Sequence, residues 1–396
     1  MVSDSLKPEQ IRKRIYLDRE MLIIFSITMT AIMSVSSIAP VFPKIMEQLN
    51  ISAQSVSLLV SVFTLPGILL TPVFGVLADR FGRKLIVVPS LFLFGIAGGA
   101  CAFTTDFNIL LTLRFFQGIG AASLGSMNVT IIGDIYNDKE RTAAMGYNSS
   151  VLSIGTTVYP AIGGALGFLG WHYPFFLAFL GIPVGLLVLF FLKNPEPKNR
   201  QKLSEYFKNL YISLKNRKVI GLFVSCGVTF IILYGSYLTY LPVYMTLKFE
   251  SNTLINGLVM SVVSISTAVT ASQLGKLIKR FSEQTLLKTS FLIYGFALAI
   301  MPLADEFWKL LGPTILIGYS HGTNIPVTLS LLAKYAPMEY RAAFMATNGM
   351  LLRLGQTIGP VLMGTMYLFG GINYAFWAGS ALTAVMFVYL SIIYRK

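Results

Sequence analysis

Long apolar stretches alternate with short polar connections along the whole chain. Twelve such stretches, each of roughly 18 to 25 residues, are long enough to cross the hydrocarbon core of a bilayer as helices. They begin near residues 21, 53, 85, 108, 142 and 173, and again near 219, 253, 285, 308, 342 and 373. Helix is the conformation expected in lipid, because each backbone polar group then has a partner within its own segment. The pattern predicts an all-α membrane protein with twelve transmembrane helices.

The second set of six stretches repeats the first at an offset of about 200 residues. Gly75 and Pro160, for example, recur as Gly275 and Pro360. Such a duplication is typical of transporters that rock one half against the other, so we expect two pseudo-symmetric six-helix bundles. The predicted order is a tail at 1–20, a first bundle at 21–192, a linker at 193–218 and a second bundle at 219–394.

Composition and charge placement also indicate a membrane protein. The chain is only 12% charged, whereas a soluble domain has about 25% charged residues. Of its 31 Lys and Arg residues, 26 lie in the two tails and the even-to-odd connections, and only Lys44, Lys248 and Lys309 lie in the opposite loops. This asymmetry predicts a multi-pass protein of the cell (inner, cytoplasmic) membrane with both termini in the cytoplasm. The net charge of +14 then faces anionic lipid headgroups, so we expect the lipid bilayer and not nucleic acid as a partner.

The sequence lacks the residue clusters that enzymes and metalloproteins use. It has two cysteines and two histidines, without a CxxC or another metal-binding spacing. It also has no P-loop and no Ser–His–Asp arrangement. We therefore expect a protein that is not an enzyme, with no catalytic residue, no cofactor and no metal.

A charged string with two glycines connects the predicted second and third helices. It reads Gly75-Val-Leu-Ala-Asp79-Arg80-Phe-Gly82-Arg83-Lys84. Gly75 allows close packing of two helices, and Gly82 allows a tight turn. Asp79 is placed to meet the positive N-terminal end of another helix.

This string resembles the loop 2–3 signature of the major facilitator superfamily. Arg114, Gln117 and Gly118 resemble the RxxQG element of its drug:proton antiporter branch, which has twelve helices. The fifth helix resembles the GxxxGPxxGG motif of the same branch, with Tyr159 in place of the expected glycine. The helix-packing positions that this second likeness implies are Gly155, Pro160, Gly163 and Gly164.

The resemblance implies a conformational latch made of Gly75, Asp79, Arg80, Gly82, Arg83 and Asp134. In this latch Asp79 meets the start of the eleventh helix when the protein is open to the outside, and Arg83 pairs with Asp134. At the repeated positions the second half has Glu283 and Lys334, with Lys279 in place of the acid. We therefore predict a second charge pair with reversed signs, and an inter-half latch in the first half alone.

Two arginines, Arg114 and Arg353, are the charged residues embedded well inside the predicted spans. Arg353 lies roughly 18 Å from Arg341 along a helix, near the midplane, where it must face protein or water. It is either a structural residue tied to Gln356 or helix carbonyls, or a cationic element of the substrate site. Arg114 either snorkels to the headgroups or has a cavity or packing role. Without a carboxylate in mid-span, proton coupling would fall to Asp79 or Asp134 at the cytoplasmic edge.

Polar and aromatic side chains of the spans complete the predicted cavity. Tyr234, Tyr237 and Tyr240 are expected on one helical stripe, where they either bind substrate or form an interfacial belt. His321 either titrates near neutral pH or packs as a neutral ring. The predicted cavity or coupling residues are Arg114, Gln117, Asn148, Tyr234, Tyr237, His321, Asn324, Asn348 and Arg353.

These features favour a secondary active transporter that exports a small amphipathic compound or drug by alternating access, with the proton as coupling ion and the monomer as the working unit. The arginines and the missing mid-span acids favour an alternative, an importer or facilitator of an organic anion or metabolite. A non-transporting membrane sensor or enzyme is the third reading, and no appended soluble domain supports it.

Overall fold

The computed structural model describes residues 15–193, 216–336 and 341–394. Regular structure in these ranges is entirely helical and forms twelve long segments. The first six are α1 Arg19–Leu49, α2 Ala53–Phe81, α3 Arg83–Phe103, α4 Phe107–Ile135, α5 Asp138–Leu169 and α6 Tyr173–Phe191. The second six are α7 Arg217–Phe249, α8 Thr253–Arg280, α9 Glu283–Leu303, α10 Leu311–Tyr335, α11 Arg341–Gly370 and α12 Ile372–Ile393.

The all-α fold with twelve long helices confirms the prediction from the hydrophobic pattern. Ten of these segments are long and apolar enough to cross a membrane by length and composition. Helices α10 and α11 have 25 and 30 residues and complete the set. Most of the predicted linker, and the predicted tail up to residue 14, lie outside the described residues.

Helices α1 and α7 are each interrupted in their second half. In α1 the regular helix ends at Ser36, and a 3₁₀ turn over Ala39–Val41 follows. In α7 a π-helix spans Ile232–Thr239 ahead of Pro242. A π-helix has more residues per turn than an α-helix, so the predicted single stripe of tyrosines is wrong. The fully buried Tyr240 instead directs its hydroxyl to the carbonyl oxygen of Ala53, at 3.4 Å.

Each half packs mainly within itself, and two helix pairs make most of the contacts between the halves. In the first half α4 packs on α2 and α3, and in the second half α10 packs on α8 and α9. The contacts between halves are dominated by α5 with α8 and by α2 with α11.

We name the two ends of the bundle by what they contain. The loop side has the α1–α2 and α7–α8 connections, and the tail side has the start of α1 and the end of α12.

On the loop side the halves touch at backbone distance. A Cβ added at Gly164 of α5 would clash with the carbonyl oxygen of Thr253 in α8, whose hydroxyl donates to the Gly164 carbonyl at 2.9 Å. A Cβ at Gly257 of α8 would likewise clash with the carbonyl of Pro160. Gly155 and Gly163 make room for Ile32 and Ser37 of α1. The predicted packing glycines of α5 thus lie at interfaces that need them.

Helices α2 and α11 also meet in their loop-side portions. The hydroxyls of Thr64 and Thr357 are hydrogen-bonded at 2.9 Å inside the protein. A Cβ at Gly364 would come within 3.2 Å of the Gln54 side chain and 2.9 Å of the Tyr240 hydroxyl. Hydrogen bonds between helices hold this second seam as well.

On the tail side the same helices have no such contacts. A Cβ added at Gly75, Gly146, Gly275 or Gly349 would meet no described heavy atom within 4 Å. The close packing predicted at Gly75 is therefore not present in this conformation. Because the two halves touch on the loop side and separate on the tail side, the bundle is closed at the first end and open at the second.

Alanine at Gly164 is expected to lower the free energy of unfolding by about 1–3 kcal/mol, because its methyl group must push the α8 backbone away. Gly146→Ala is the matched control on the same helix, and there alanine adds helix propensity in open space. Thermal unfolding of both purified variants beside the unmodified protein measures the difference. Equal midpoints would contradict the backbone contact between α5 and α8.

Candidate functional site

A cavity of about 490 Å³ lies between the two halves and extends toward the tail side. Helices α1, α2, α4, α5, α7 and α11 contribute to its wall. The lining is mixed, with apolar groups such as Phe63, Met145 and Leu152 beside hydroxyls and amides. Among its described lining residues, Arg353 is the only one with a charged side chain.

Arg353 reaches from α11 across the gap to the first half. A Cβ at Gly67 of α2 would lie 3.2 Å from its Cδ, and a Cβ at Gly125 of α4 would lie 3.5 Å from its Nη2. Within its own helix, Nη1 donates to Gln356 Oε1 at 3.2 Å. The predicted tie to Gln356 and the predicted position in the cavity are thus both present, and the guanidinium is a cationic group that a ligand can reach.

A chain of amides and a hydroxyl forms the opposite wall. Thr28 Oγ1 donates to Asn148 Oδ1 at 2.6 Å, and Asn128 Nδ2 donates to Thr28 Oγ1 at 2.8 Å. Asn148 was predicted from its repeat, whereas Thr28 and Asn128 were missed. Their signal in the sequence was a polar residue in the middle of an apolar span. The structure brings Asn148, Tyr234 and Arg353 together around one cavity.

A second, smaller cavity of about 220 Å³ adjoins the first between α5, α7, α8 and α10. The two cavities share Ser36, Leu152, Thr156 and Tyr234 as lining residues. Tyr237 and His321 line only the smaller one. Tyr237 is buried and its hydroxyl donates to the carbonyl of Met260 at 3.2 Å, while Tyr234 lines both cavities, so this geometry does not support the alternative of an interfacial belt for these two tyrosines.

Arg114 and Gln117 lie behind the cavity wall instead of lining it. Arg114 is only 1% exposed, which excludes snorkelling. Its Nε donates to the Leu59 carbonyl at 3.1 Å, and its Nη1 donates to Gln117 Oε1 at 2.8 Å. The guanidinium also lies 4.3 Å from the ring centre of Phe63, which does line the cavity. Of the predicted roles, packing is the one that this geometry supports.

Asn324 and Asn348 also lie outside the two cavities. Asn324 is fully buried, accepts from Thr229 Oγ1 at 3.0 Å and donates to Ser290 Oγ at 2.9 Å. These bonds join α10 to α7 and α9. Asn348 is buried beside Cys226, and its neighbour Gly349 occupies the cavity wall. Of the two alternatives for a buried amide, a ligand or a neighbouring helix, Asn324 therefore takes the bond to neighbouring helices, and the side chain of Asn348 is not among the lining residues of either cavity.

The predicted latch residues gather at the tail side of the first half. Gly82 ends α2 and begins α3 with φ of 97°, a conformation that favours glycine. Arg83 is buried, donates from Nε to Asp134 Oδ2 at 2.9 Å, and also pairs with Asp79. Arg80 is exposed and lies over the Phe81 ring. Asp79 thus pairs with Arg83 across the turn between α2 and α3, and residues 337–340 ahead of α11 lie outside the described residues.

The second half has the predicted pair with reversed signs, in a weaker form. Lys334 Nζ lies 4.0 Å from Glu283 Oε2, and the lysine side chain is 69% exposed. Glu283 also accepts from Ser330. Lys279 is exposed. Exposed ion pairs contribute little, so the strong charge cluster belongs to the first half alone.

Replacing Arg83 with methionine should cost about 3–5 kcal/mol of stability, because two partly buried carboxylates lose their cation. Lys334→Met, the equivalent change in the second half, should cost less than about 1 kcal/mol. Chemical denaturation of both variants in the same detergent compares them. A loss for Lys334→Met as large as that for Arg83→Met would refute the difference between the two charge pairs.

Comparison with known proteins agrees with this architecture. The chain is 24% identical to "Multidrug resistance protein 1" of Bacillus subtilis (strain 168) over 363 residues, which are 90% of this chain and 91% of that protein. It is also 24% identical to "Tetracycline resistance protein, class H" of Pasteurella multocida over 382 residues, 92% of each chain. The crystal structure of the nucleoside transporter NupG shares the fold, with a TM-score of 0.80 at 13% identity, over 96% of this chain and 99% of that one.

The family described as the Major Facilitator Superfamily matches residues 24–304 and 251–396, and so nearly the whole chain. The match agrees with the twelve helices, the duplicated halves and the cavity between them. The chain belongs to the Major Facilitator Superfamily of membrane transporters.

Proposed function

We propose that this transporter exports small amphipathic compounds from the cytoplasm in exchange for protons, by alternating access. One observation carries the proposal: a cavity between the halves opens at the tail side while the loop side is closed by backbone contacts. A packed seam tends to have discrete arrangements. Rocking the halves about the cavity would close the tail side and open the loop side, which moves a bound compound across the membrane.

The distribution of charge supports the orientation of the protein. With 26 of the 31 Lys and Arg residues in the tails and tail-side connections, the tail side faces the cytoplasm of an inner membrane. The conformation described here is then open to the cytoplasm, where an exporter loads its cargo. Exposed apolar side chains such as Leu69, Phe190 and Phe369 would contact lipid around a monomer. The moving units are the predicted bundles 21–192 and 219–394, joined by the linker 193–218.

The chemistry of the wall supports the type of cargo. Phe63, Met145 and Tyr234 offer contacts to an apolar body, while Asn148 and Arg353 offer hydrogen bonds. A cationic group without a carboxylate among the described lining residues disfavours permanent cations and favours neutral, zwitterionic or anionic compounds. Two similar proteins are named for multidrug and tetracycline resistance, which supports export of such compounds.

The same arginine favours an alternative function, import or facilitated passage of an organic anion or metabolite. The two functions differ in their response to a proton gradient. A proton-coupled exporter accumulates cargo against its gradient when protons flow in the opposite direction. A facilitator only equilibrates cargo. Counterflow in proteoliposomes with and without a pH difference separates these possibilities.

The role of Arg353 is tested with three dyes or drugs of different charge: anionic fluorescein, zwitterionic tetracycline and cationic ethidium. Arg353→Gln should lower counterflow of fluorescein by about tenfold to a hundredfold, because a charge-assisted hydrogen bond worth about 1.5–3 kcal/mol is lost. Ethidium transport should stay the same or increase. Arg353→Lys should keep most of the fluorescein transport.

Lys276→Gln serves as the control, because it also removes one positive charge, from an exposed position outside the cavities. It should leave all three compounds unaffected. If Arg353→Gln lowered the transport of all three compounds equally, Arg353 would be a structural residue and the assignment of cargo charge would fail.

A further inference from the structure

We propose that His321 carries the coupled proton, and that its site in the smaller cavity makes proton and uncharged cargo compete. This inference rests on the proposed function, because it names the residue that performs the exchange. It also narrows the cargo to neutral or zwitterionic amphipathic compounds.

Few groups near the two cavities can change their protonation state at neutral pH. No aspartate or glutamate is found among the described residues that line either cavity. Asp79 and Asp134 are both occupied by Arg83 at the tail side of the first half. The other ionisable lining groups are Arg353, Tyr234 and Tyr237, whose side chains ordinarily keep one protonation state at neutral pH. Histidine ordinarily changes charge between pH 5 and 8.

The ring of His321 is held in place by two aromatic neighbours. His321 Nδ1 lies 2.9 Å from the hydroxyl of Tyr294, a fully buried residue of α9. The edge of the ring also meets Phe230, with centroids 6.1 Å apart and planes at 84°. When Nδ1–H donates to the Tyr294 hydroxyl, Nε2 keeps its lone pair. A proton that arrives from the cavity binds Nε2, and the ring then has one positive charge.

The side chains around the ring of His321 offer no negative charge to an imidazolium. Tyr294 of α9 contacts the ring directly, and the cavity that His321 lines also has Tyr234 and Tyr237 from α7, Met260 and Thr267 from α8, and Ser153 and Thr156 from α5 in its wall. None of these side chains is an anion, so water in the cavity must hold the charge of the imidazolium. An apolar cargo that displaces this water disfavours the charged ring and expels the proton.

Competition of this kind is the thermodynamic requirement for exchange, because each ligand lowers the affinity for the other by the same factor. An anionic cargo beside Arg353 would favour protonation of His321, because its negative charge would stabilise the imidazolium. Anion and proton would then bind together and move in the same direction. Exchange through His321 therefore selects neutral and zwitterionic compounds.

The test compares His321→Asn with His172→Asn in proteoliposomes. The chain has two histidines, and His172 lies outside both cavities, stacked on Tyr173 between α5 and α6. Tetracycline is the probe. Two rates are measured: accumulation driven by a difference of one pH unit, which supports up to about tenfold accumulation in one-for-one exchange, and counterflow at equal pH.

His321→Asn should abolish gradient-driven accumulation and keep counterflow, and His172→Asn should keep both. Accumulation by His321→Asn at the wild-type level would overturn the assignment of His321. If the wild type itself showed counterflow without accumulation, the proposed proton coupling would be refuted. That result differs from the failure of His321 alone, in which the wild type and His321→Asn accumulate tetracycline equally.

If His321→Asn also lost counterflow, proton release from the wild type in weakly buffered detergent would decide. Tetracycline binding should then release protons within a scanned range of about pH 4 to 8, which includes the ordinary histidine range. Binding without proton release anywhere in that range would refute the proposal.

Discussion

Among the described residues, the two halves of this protein meet at backbone distance along one side of the bundle. Gly164 and Gly257 let α5 and α8 approach until carbonyl oxygens fill the space of the missing side chains. Thr64 and Thr357 join α2 to α11 in the same half of the membrane. Toward the tail side these four helices separate, and the cavity lies in the space between them. The shape of the cavity is therefore a consequence of where the close contacts end.

The charged groups inside the protein follow the cost of burying a charge. Arg83 has two carboxylates, and Arg114 has a carbonyl, an amide oxygen and an aromatic face. Each is compensated by fixed partners, as a buried cation requires. Arg353 has one hydrogen bond to an amide and otherwise faces the cavity. That difference is why Arg353 is available to a ligand and the other two arginines stabilise the fold.

The fold was largely predictable from the sequence, because span length and the internal repeat are properties of the chain itself. The turn at Gly82 was predictable from the loop string that contains it, and the Arg83–Asp134 pair was implied by the resemblance of that string to the family signature. The cavity was predictable only in part. Depth in the membrane placed Arg353 correctly, but depth does not say which neighbour a side chain meets. Arg114 and Asn324 therefore looked like cavity residues and proved to bind neighbouring helices.

The prediction that three tyrosines of α7 share one helical stripe was wrong for a related reason. Tyr234, Tyr237 and Tyr240 share a stripe in a regular α-helix, but the π-helix over Ile232–Thr239 rotates them apart. The residue types of this segment do not predict a π-helix. Thr239 stabilises it by donating a hydrogen bond to the Tyr234 carbonyl at 2.6 Å. The result places Tyr234 at the junction of both cavities, next to the groups proposed to bind cargo and proton.

The central claim is that closure alternates between the two sides of the bundle. Spin-label distances test it most directly, with one labelled pair at Ser149 and Ser272 on the tail side and another at Gln48 and Leu247 on the loop side, all exposed positions. When tetracycline and a pH gradient are supplied to the protein in liposomes, the tail-side distance should shorten while the loop-side distance lengthens. Two distances that stay fixed, or that change in the same direction, would contradict alternating access.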